Sequence, residues 1–475
     1  MNHSAFIAWR WIILWVVTIM AALGHSEAAE RSFTNQFSQS EREQPQPVLK
    51  TAEQIHRLTR EEAARAHRAV IRAVVTCSLP ESESVVIQDS TRGIYVDRIN
   101  STLGEPPRVG ELLEIEGVTD PGAFAPYIRA QRMTRLGVGT LPQPARPTWD
   151  QLINGSLDTQ YVEIQGVVTS VGADGVILLT HGGKINAILV GTNGVPWTRH
   201  ENSLIRLRGC LFASWDANTH QVRVGEIRMF SPSVTVDEAA PDDVFAVAPK
   251  RAPELLLFDS QASALRRVKV SGQVVHERDG EYYLMDGANG LRFVLKSAGN
   301  FDAGDLVEVV GFPILTGPSP VLRESVARKT GSAALPAAKA LAAESLFQAE
   351  NDAMRVSVEA VLLSLSADQQ TLEMQAGLLR FVARLSSRNG PPSSLRAERT
   401  KEIGVPIGSR LELTGVYAGH GGSRTTGAEI GSFELLLNSP SDIRVLARPP
   451  FWTLPRLLVL VAVLMSVLGV ALIWI

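Results

Sequence analysis

The chain has 475 residues, a formal net charge of –3 and two cysteines. This length accommodates three or four domains of ordinary size, and so few cysteines exclude a disulfide-rich scaffold. Nucleic-acid binders usually carry a clear basic excess, so the balanced charge leads us to expect no nucleic-acid partner. Cys77 and Cys210 have no C-x-x-C partner. We expect isolated buried thiols, although an exported compartment would also permit a bridge between them.

The N-terminal segment is typical of an export signal. The apolar run WIILWVVTIMAALG follows Arg10 and is of signal-peptide length. Small residues at Ser26 and Ala28 predict cleavage near residues 26–30, and the alternative is an uncleaved signal anchor. We therefore assign residues 1–29 to a signal peptide or signal anchor and residues 30–50 to a flexible linker.

An eight-residue phrase then recurs four times, about a hundred residues apart. Its alternation of apolar and polar residues predicts a half-buried strand, its leading turn residues start that strand, and its last glycine predicts a bulge, a bend or close backbone approach. The changing charges, including Glu114 and Glu116 in the first copy, argue against a catalytic role for the phrase. The copies are GELLEIEG at 110–117, NSLIRLRG at 202–209, GDLVEVVG at 304–311 and GSRLELTG at 408–415.

Each copy of the phrase is preceded by a second shared strand and a hairpin. The second strand has a small residue at its middle, namely Ala73, Gly166, Gly272 and Ala360. In the first and third repeats the hairpin carries an aspartate with a glycine four residues later, Asp89/Gly93 and Asp286/Gly290. This spacing predicts a tight turn in which the aspartate caps backbone amides and the glycine takes positive φ.

A short helical stretch precedes each first strand, at 51–68, 148–157, 252–265 and 341–354. One helix and about five strands per repeat, with a small residue where a strand must bend, predict a small closed barrel. The fold class is therefore mainly β, a tandem array of four OB-like five-stranded barrels, with a β-sandwich as the alternative. The predicted modules are residues 51–140, 146–236, 252–335 and 341–447.

The C-terminal segment predicts a transmembrane helix over 453–475. Residues 457–475 carry no charge, and Trp452 and Trp474 lie at the margins, where aromatic rings prefer the membrane interface. The nearby arginines precede the span, which opposes the positive-inside tendency if the body is exported. Either the gene product continues with basic residues and a cytoplasmic part, which fits the charges better, or the chain ends as a tail anchor.

Three stretches resemble the N-terminal extracytoplasmic region of bacterial membrane-bound sensor histidine kinases, including hybrid ones. They are TAEQIHRLTREEAARAHRAVIRAVVT at 51–76, VVIQDSTRGIYVD at 85–97 and GELLEIEGVTDPGAFAPYI at 110–128. The later repeats match more loosely, and PPFWTLPRLLVLV at 449–461 also fits. In that family a single membrane span and cytoplasmic kinase domains follow. No phospho-acceptor helix or ATP-binding region follows Ile475 here, so we do not expect this chain to be an enzyme.

No catalytic, cofactor-binding or metal-binding set is expected, because the nine histidines are dispersed and no nucleophile or phosphate-binding motif occurs. HGGK at 181–184 is interpreted as a hairpin turn. Loops around an OB-like barrel commonly form its ligand site, so Trp197 and Trp215 are the candidate ligand-binding residues by stacking. Packing in the barrel is their alternative role.

These patterns predict the extracytoplasmic sensing or ligand-binding part of a membrane-anchored bacterial signal-transduction protein, the input of a sensor histidine kinase. The alternative is a structural or adhesive envelope protein. The expected location is the inner membrane, with residues 30–450 in the periplasm. The expected partners are the membrane, a small-molecule or envelope ligand, and a second copy of the chain through the span.

Overall fold

The computed structural model describes residues 47–98, 105–192, 194, 196–260, 262–367, 369–386, 404–449 and 454–474. The predicted signal segment over 1–29 lies outside these residues, as does most of the polar insert in the fourth repeat.

The described chain is mainly β and forms a tandem series of OB-like barrels. Five strands build each barrel, and the closing pair is antiparallel in all four. The first barrel contains β1 (Arg68–Leu79), β2 (Ser84–Gln88), β3 (Gly93–Asp97), β4 (Glu111–Asp120) and β5 (Tyr127–Val138). The second contains β6 (Gln160–Val171), β7 (Gly175–Leu179), β8 (Lys184–Val190), β9 (Leu204–Trp215) and β10 (Val222–Glu238). The third contains β11 (Val268–Arg278), β12 (Glu281–Asp286), β13 (Asn289–Leu295), β14 (Asp305–Ile314) and β15 (Val321–Ser332).

The fourth barrel is part of a seven-stranded sheet. Its ring closes through a pairing of its first and fourth strands, and two short strands extend it at either side. In chain order the sheet contains β16 (Lys339–Leu341), β17 (Arg355–Leu365), β18 (Thr371–Ala376), β19 (Leu379–Leu385), β20 (Arg410–His420), β21 (Ser432–Leu437) and β22 (Ile443–Ala447).

The first strand of each barrel pairs with two neighbours in turn. In β1, Ala73 pairs with Leu113 of β4, whereas the next residue, Val74, also pairs with Gln88 of β2. A bulge follows between Val75 and Cys77, and the other three barrels have a bulge at the matching place. The small residue therefore marks the point at which the strand bends from one half of the barrel to the other.

The recurrent phrase forms β4, β9, β14 and the start of β20, and its alternation separates core from surface. In β4, Leu113 and Ile115 are fully buried in the first core, while Glu114 accepts a hydrogen bond from Arg72 of β1 at 2.6 Å. The second barrel reverses these charges, because Arg208 of β9 donates to Glu163 of β6 at 2.5 Å. The charged positions thus form cross-strand ion pairs outside the barrel cores.

The helices are shorter than the sequence predicts. The stretch at 51–68 gives α1 (Ala52–His56) and α2 (Arg60–Ala63), and the stretch at 148–157 gives α3 (Trp149–Ile153). Threonine capping boxes begin all three helices. The stretches at 252–265 and 341–354 contain 3₁₀ turns only. One helical turn is enough for each segment to place an apolar side chain, such as Ile55 or Leu152, in the barrel core.

The last helix, α4, covers Leu454–Trp474, and its side chains are described from 457 to 469. Within the part of the chain that the structure describes, no helix has both the length and the apolar character that a membrane crossing requires.

The hairpin aspartates cap backbone amides, as the sequence predicts. Asp89 accepts the amide of Thr91 at 2.7 Å within its own turn, and its second oxygen accepts the Ala52 amide of α1 at 2.8 Å. Asp286 likewise accepts the amide of Ala252 at 2.9 Å. The prediction of positive φ for the paired glycines is wrong, since neither Gly93 nor Gly290 adopts it. These glycines serve the packing of one barrel on the next, as described below.

Candidate ligand site between the second and third barrels

Successive barrels dock in one manner. The residue that precedes the first strand of one barrel lies against the β-hairpin of the barrel before it. Thr159 lies against Gly93, and Asp352 and Ala353 lie against Gly290. At the middle joint, Leu265 shares an apolar cluster with Leu179, which ends the first hairpin strand of the second barrel.

Glycine allows the first and third joints to close tightly. A Cβ atom added at Gly93 would lie 1.9 Å from the carbonyl oxygen of Thr159. One added at Gly290 would lie 2.2 Å from the carbonyl oxygen of Asp352. Both distances are far inside van der Waals contact, so only glycine permits this backbone approach.

A lysine occupies the corresponding place at the middle joint. Gly93 is the cross-strand partner of Gln88, and in the second barrel Lys184 is the partner of the matching residue, Leu179. The Lys184 ammonium group extends to Glu324 of the third barrel at 2.8 Å. A long side chain therefore reaches across to the third barrel from the place where a glycine contacts the next barrel at the other two joints.

The two tight joints also contain apolar clusters. At the first joint the buried residues are Cys77, Val86 and Cys210, and both thiols are free. Both thiols are buried and unbridged, as the sequence predicts, and they lie in the same cluster. At the third joint the buried residues are Val275, Tyr283, Met285, Ala353, Val416, Ala418 and Leu436. The middle joint has a cluster of the same kind, so the glycine contacts, and not the apolar clusters, distinguish the pair of barrels one and two and the pair of barrels three and four.

Polar contacts from the third barrel to the second hold the middle joint. Arg267 donates to the carbonyl oxygen of Asn202 at 3.1 Å and to its side-chain oxygen at 2.9 Å. Arg323 donates to the carbonyl oxygen of Thr180 at 3.0 Å. Both guanidinium groups are partly buried. Two arginines therefore bridge the two barrel pairs by binding neutral oxygens.

A cleft of about 810 Å³ lies at this joint. Its walls come from the second barrel, the third barrel and the segment that connects them. A second cavity of about 490 Å³ shares His181 and Gly182 with the cleft and extends along Trp149 of α3. Clefts of this size between domains are typical of small-molecule sites. We therefore define this cleft as the candidate ligand site.

The carboxylates that line the cleft already have partners. Asp259 pairs with Lys250 at 2.6 Å, and Glu238 lies 3.7 Å from Arg266. Glu254 accepts the backbone amide of Arg251 at 2.9 Å.

Two arginines that line the cleft have no ion-pair partner of this kind in the described chain. Among the described residues, Arg267 and Arg323 have no carboxylate oxygen within 4.0 Å. Burial lowers the pKa of both guanidinium groups, because desolvation disfavours their charge. The Nε atom of Arg323 is buried without a hydrogen-bond partner.

The two tryptophans predicted to bind a ligand lie apart from the cleft. Trp197 packs against the core of the second barrel, with its ring centroid 5.7 Å from that of His200. Trp215 stacks between Phe124 of the first barrel and His220, at 5.9 Å from each ring. Neither side chain lines the cleft. Their contacts agree with the alternative packing role, although these contacts do not test ligand binding.

The sequence interpretation missed the residues that form the middle joint. Lys184 belongs to HGGK, which is a hairpin turn as expected. Gly182 and Gly183 lie against Trp149, where an added Cβ would approach the ring to 2.3 Å and 2.6 Å. The available signal was a difference between repeats. This hairpin has Thr180 and Lys184 at the two places where the first and third hairpins have Asp and Gly.

No protein-family model matches the chain, and no curated protein is similar to it. Solved structures are similar at low identity. A murine DNA-binding protein bound to double-stranded DNA is 9% identical, with a TM-score of 0.20, over 38% of this chain and 99% of that one. The p204 HINb domain is 15% identical, with a TM-score of 0.20, over 36% and 96%. A replication protein A heterotrimer bound to single-stranded DNA is 11% identical, with a TM-score of 0.15, over 60% and 93%.

These structures correct one expectation. Nucleic acid was excluded as a partner from the charge balance, and that exclusion is wrong, because the similar structures include proteins bound to double-stranded and single-stranded DNA. Likeness at these TM-scores carries no argument about what this chain binds.

Proposed function

We propose that the chain is the ligand-binding part of a membrane-anchored sensing protein and that a small ligand binds in the cleft at the middle joint. The observation that carries this proposal is the contrast between the joints. Glycine closes the first and third joints, whereas at the second Lys184 pairs with Glu324 of the third barrel and Arg267 and Arg323 line a cleft. A ligand in this cleft contacts both barrel pairs at once.

Such a position suits a sensor, because binding there changes the relative stability of arrangements of the two pairs. A ligand shifts a conformational equilibrium only by its differential affinity for the two states. Here that difference arises when the ligand touches both walls in one arrangement and a single wall in another. The rearrangement of the second pair would reach α4, which follows the fourth barrel directly in sequence.

The membrane location and the signalling role belong to the same proposal. They are supported by the uncharged run at 457–475 and by the resemblance of residues 51–130 to the extracytoplasmic region of sensor histidine kinases. In this arrangement the barrels lie in the periplasm, and a cytoplasmic partner or domain receives the signal.

The test is a binding screen of the full chain purified in detergent. The probes are monosaccharides, amino acids, short peptides, octanoate, 1-octanol, inorganic phosphate and a 20-nucleotide single-stranded DNA, each followed by thermal shift and calorimetry. Ala264→Trp fills the cleft, since Ala264 lines it, and Leu378→Trp adds the same ring at a position that is 97% exposed on the fourth barrel.

We expect one low-molecular-weight class to bind with a Kd below about 1 mM, which corresponds to about –4 kcal/mol. Ala264→Trp should weaken this binding at least tenfold, and Leu378→Trp should leave it within twofold. Absence of binding by every probe, or equal binding by the filled variant, contradicts a ligand site in the cleft. That result favours a structural or adhesive role for the array.

A further inference from the structure

We propose that the cleft is an organic-anion site, in which Arg267 and Arg323 bind a carboxylate or phosphate group and the apolar wall holds the rest of the molecule. This inference rests on the proposed function and specifies the chemical class of its ligand. The net charge of the whole chain does not indicate an anion site, because the site depends on the surroundings of the Arg267 and Arg323 side chains.

The geometry places both arginines next to one aromatic residue, Phe312. The Arg267 guanidinium carbon lies 4.7 Å from the centroid of the Phe312 ring. Arg323 is the direct cross-strand partner of Phe312, so its side chain projects from the same face of the sheet. Both arginines line the cleft. Phe312 itself is buried behind the wall, so the two arginines lie next to one buried ring of the third barrel and both reach the cleft.

The electrostatics leave these two cations without a carboxylate of their own within the described ranges. Glu238 lies near Arg267 and Glu324 near Arg323, but Arg266 and Lys184 respectively are the ion-pair partners of these carboxylates. Guanidinium groups stay protonated in proteins, so partial burial without a carboxylate partner costs free energy. An anion in the cleft would offset that cost, and a neutral ligand would not.

Free donor capacity is also present. The Nε–H of Arg323 is buried and donates to no atom, while another N–H of the same group already donates to Thr180. This Nε atom is shielded from solvent, so a carboxylate or phosphate oxygen accepts its N–H only when the Arg323 side chain shifts toward the cleft. Planar guanidinium groups commonly bind such oxyanions in a forked manner.

The remaining wall selects an apolar body. The cleft is lined by Val167 and Leu204 of the second barrel, Ile314 and Leu315 of the third, and Leu255 and Leu257 of the connecting segment. Leu257 is 66% exposed, so a ligand would cover an apolar surface that now faces solvent. At about 25 cal/mol per Å² of buried apolar area, an alkyl chain or ring adds appreciable affinity to the anionic contact.

The arginines also explain how occupancy is coupled to the joint. Arg323 and Arg267 belong to the third barrel and bind oxygens of the second. An anion that contacts both guanidinium groups therefore fixes the side chains that hold the two barrel pairs together. The same two arginines therefore belong to the ligand site and to the middle joint.

The test compares octanoate, octyl phosphate, 1-octanol and inorganic phosphate by calorimetry on the full chain. Arg323→Met removes the charge and keeps an apolar stem, and Arg323→Lys keeps the charge without the fork. Arg410→Met is the matched control, since Arg410 pairs with Glu359 on the exposed surface of the fourth barrel. Octanoate and octyl phosphate separate a carboxylate from a phosphate ligand.

We expect octanoate or octyl phosphate to bind at least tenfold more tightly than 1-octanol. Arg323→Met should abolish this preference while 1-octanol binding stays within twofold, Arg323→Lys should retain part of it, and Arg410→Met should not change it. If 1-octanol binds as tightly as the anions and Ala264→Trp removes it, the cleft is a ligand site but the anion inference is wrong. If none of the four compounds binds, the anion inference is wrong. The ligand site in the cleft is then decided by the other probes of the binding screen.

Discussion

Lys184 occupies in the second barrel the place that Gly93 occupies in the first. Each is the cross-strand partner of the last residue of the second strand, Leu179 and Gln88 respectively, which in turn pairs with the first strand just after the small residue. Gly290 has this place in the third barrel, opposite Met285. One position in the hairpin thus separates tight joints from an open one, and it divides four similar barrels into two pairs.

Replacing either glycine by alanine should open a tight joint. The added methyl group of Gly93→Ala would overlap the carbonyl oxygen of Thr159, and that of Gly290→Ala would overlap the carbonyl oxygen of Asp352. Overpacking of this kind costs about 1–3 kcal/mol, which lowers the melting temperature of a barrel pair by roughly 3–10 °C.

Calorimetry of the full chain measures this effect. Gly331→Ala is the matched control, because Gly331 lies in a strand without positive φ and its nearest neighbour to an added Cβ is 3.6 Å away. The control should melt within about 1 °C of the wild type. An unchanged melting temperature for Gly93→Ala would show that the joint is not packed as described.

Removing Arg292 at the third joint should leave a buried carboxylate without its ion-pair partner. Asp352 is fully buried and accepts the Gly419 amide at 2.7 Å, the Ser319 hydroxyl at 2.5 Å and the Nε–H of Arg292 at 3.1 Å. Breaking a buried pair by removing one partner costs about 3–5 kcal/mol. Arg292→Met should therefore reduce hydrogen-exchange protection at the Gly419 amide by a factor of about 100 or more.

The control for this prediction is again Arg410→Met. The side chains of Arg410 and Glu359 are 62% and 52% exposed, and exposed pairs contribute about 0–1 kcal/mol. This variant should leave protection in β20 within a factor of about 5. Equal losses in both variants would mean that the Arg292 pair has no special role at the joint.

Asp158 should make the folded state of the second barrel less stable as pH rises. It occupies the place of Asp352 in the second barrel and accepts the Ala213 amide at 2.9 Å. Burial raises the pKa of its carboxyl group from 3.8 to about 6. Between these values the folded state keeps a proton that the unfolded chain has released, so stability falls as pH rises through this window.

Asp158→Asn keeps an acceptor for the Ala213 amide and removes the titration. Relative to the wild type it should gain stability between pH 4 and pH 7, by no more than about 3 kcal/mol at about 1.4 kcal/mol per pH unit. Denaturant unfolding at pH 4.5 and pH 7.5 measures the difference. A stability difference that is the same at both pH values contradicts the assignment.

The two cysteines should be present as unreactive thiols. Burial raises the pKa of Cys77 to about 11 and raises that of Cys210 well above its ordinary value. Neither thiolate forms appreciably at pH 8, so a disulfide reagent should label no thiol in the native protein and two in guanidinium chloride. Rapid labelling of the native protein contradicts the buried cluster, and fewer than two thiols in denaturant without reductant indicates a bridge.

Much of the fold could be predicted from the sequence, because its determinants are local. Alternation in GELLEIEG and its copies places Leu113 and Ile115 in the core, and the small residue at Ala73 marks the bend of the strand. The helices were predicted too long, since periodicity at 51–68 does not show that β1 begins at Arg68.

The joints and the cleft could not be predicted, because they depend on contacts between repeats. Gly93 was interpreted as a turn residue, which is the usual local reason for a glycine after an aspartate. Its actual role is contact with Thr159, 66 positions away, and no local pattern encodes that distance. Arg267 and Arg323 carry no motif, and their shared surroundings arise only when the third barrel docks on the second.

The central claim is that two rigid barrel pairs meet at a ligand-responsive joint, and electron–electron distance measurements on spin-labelled full-length protein test it most directly. The labels sit at exposed positions, with Val138/Val224 reporting within the first pair, Val294/Leu378 within the second, and Val224/Leu378 across the joint. Each pair is measured without ligand and with saturating octanoate or octyl phosphate, whichever binds. We predict narrow, unchanged distributions within each pair and a distribution across the joint that shifts or narrows with ligand. A distribution across the joint that is as narrow as the others and unaffected by bound ligand would contradict the account.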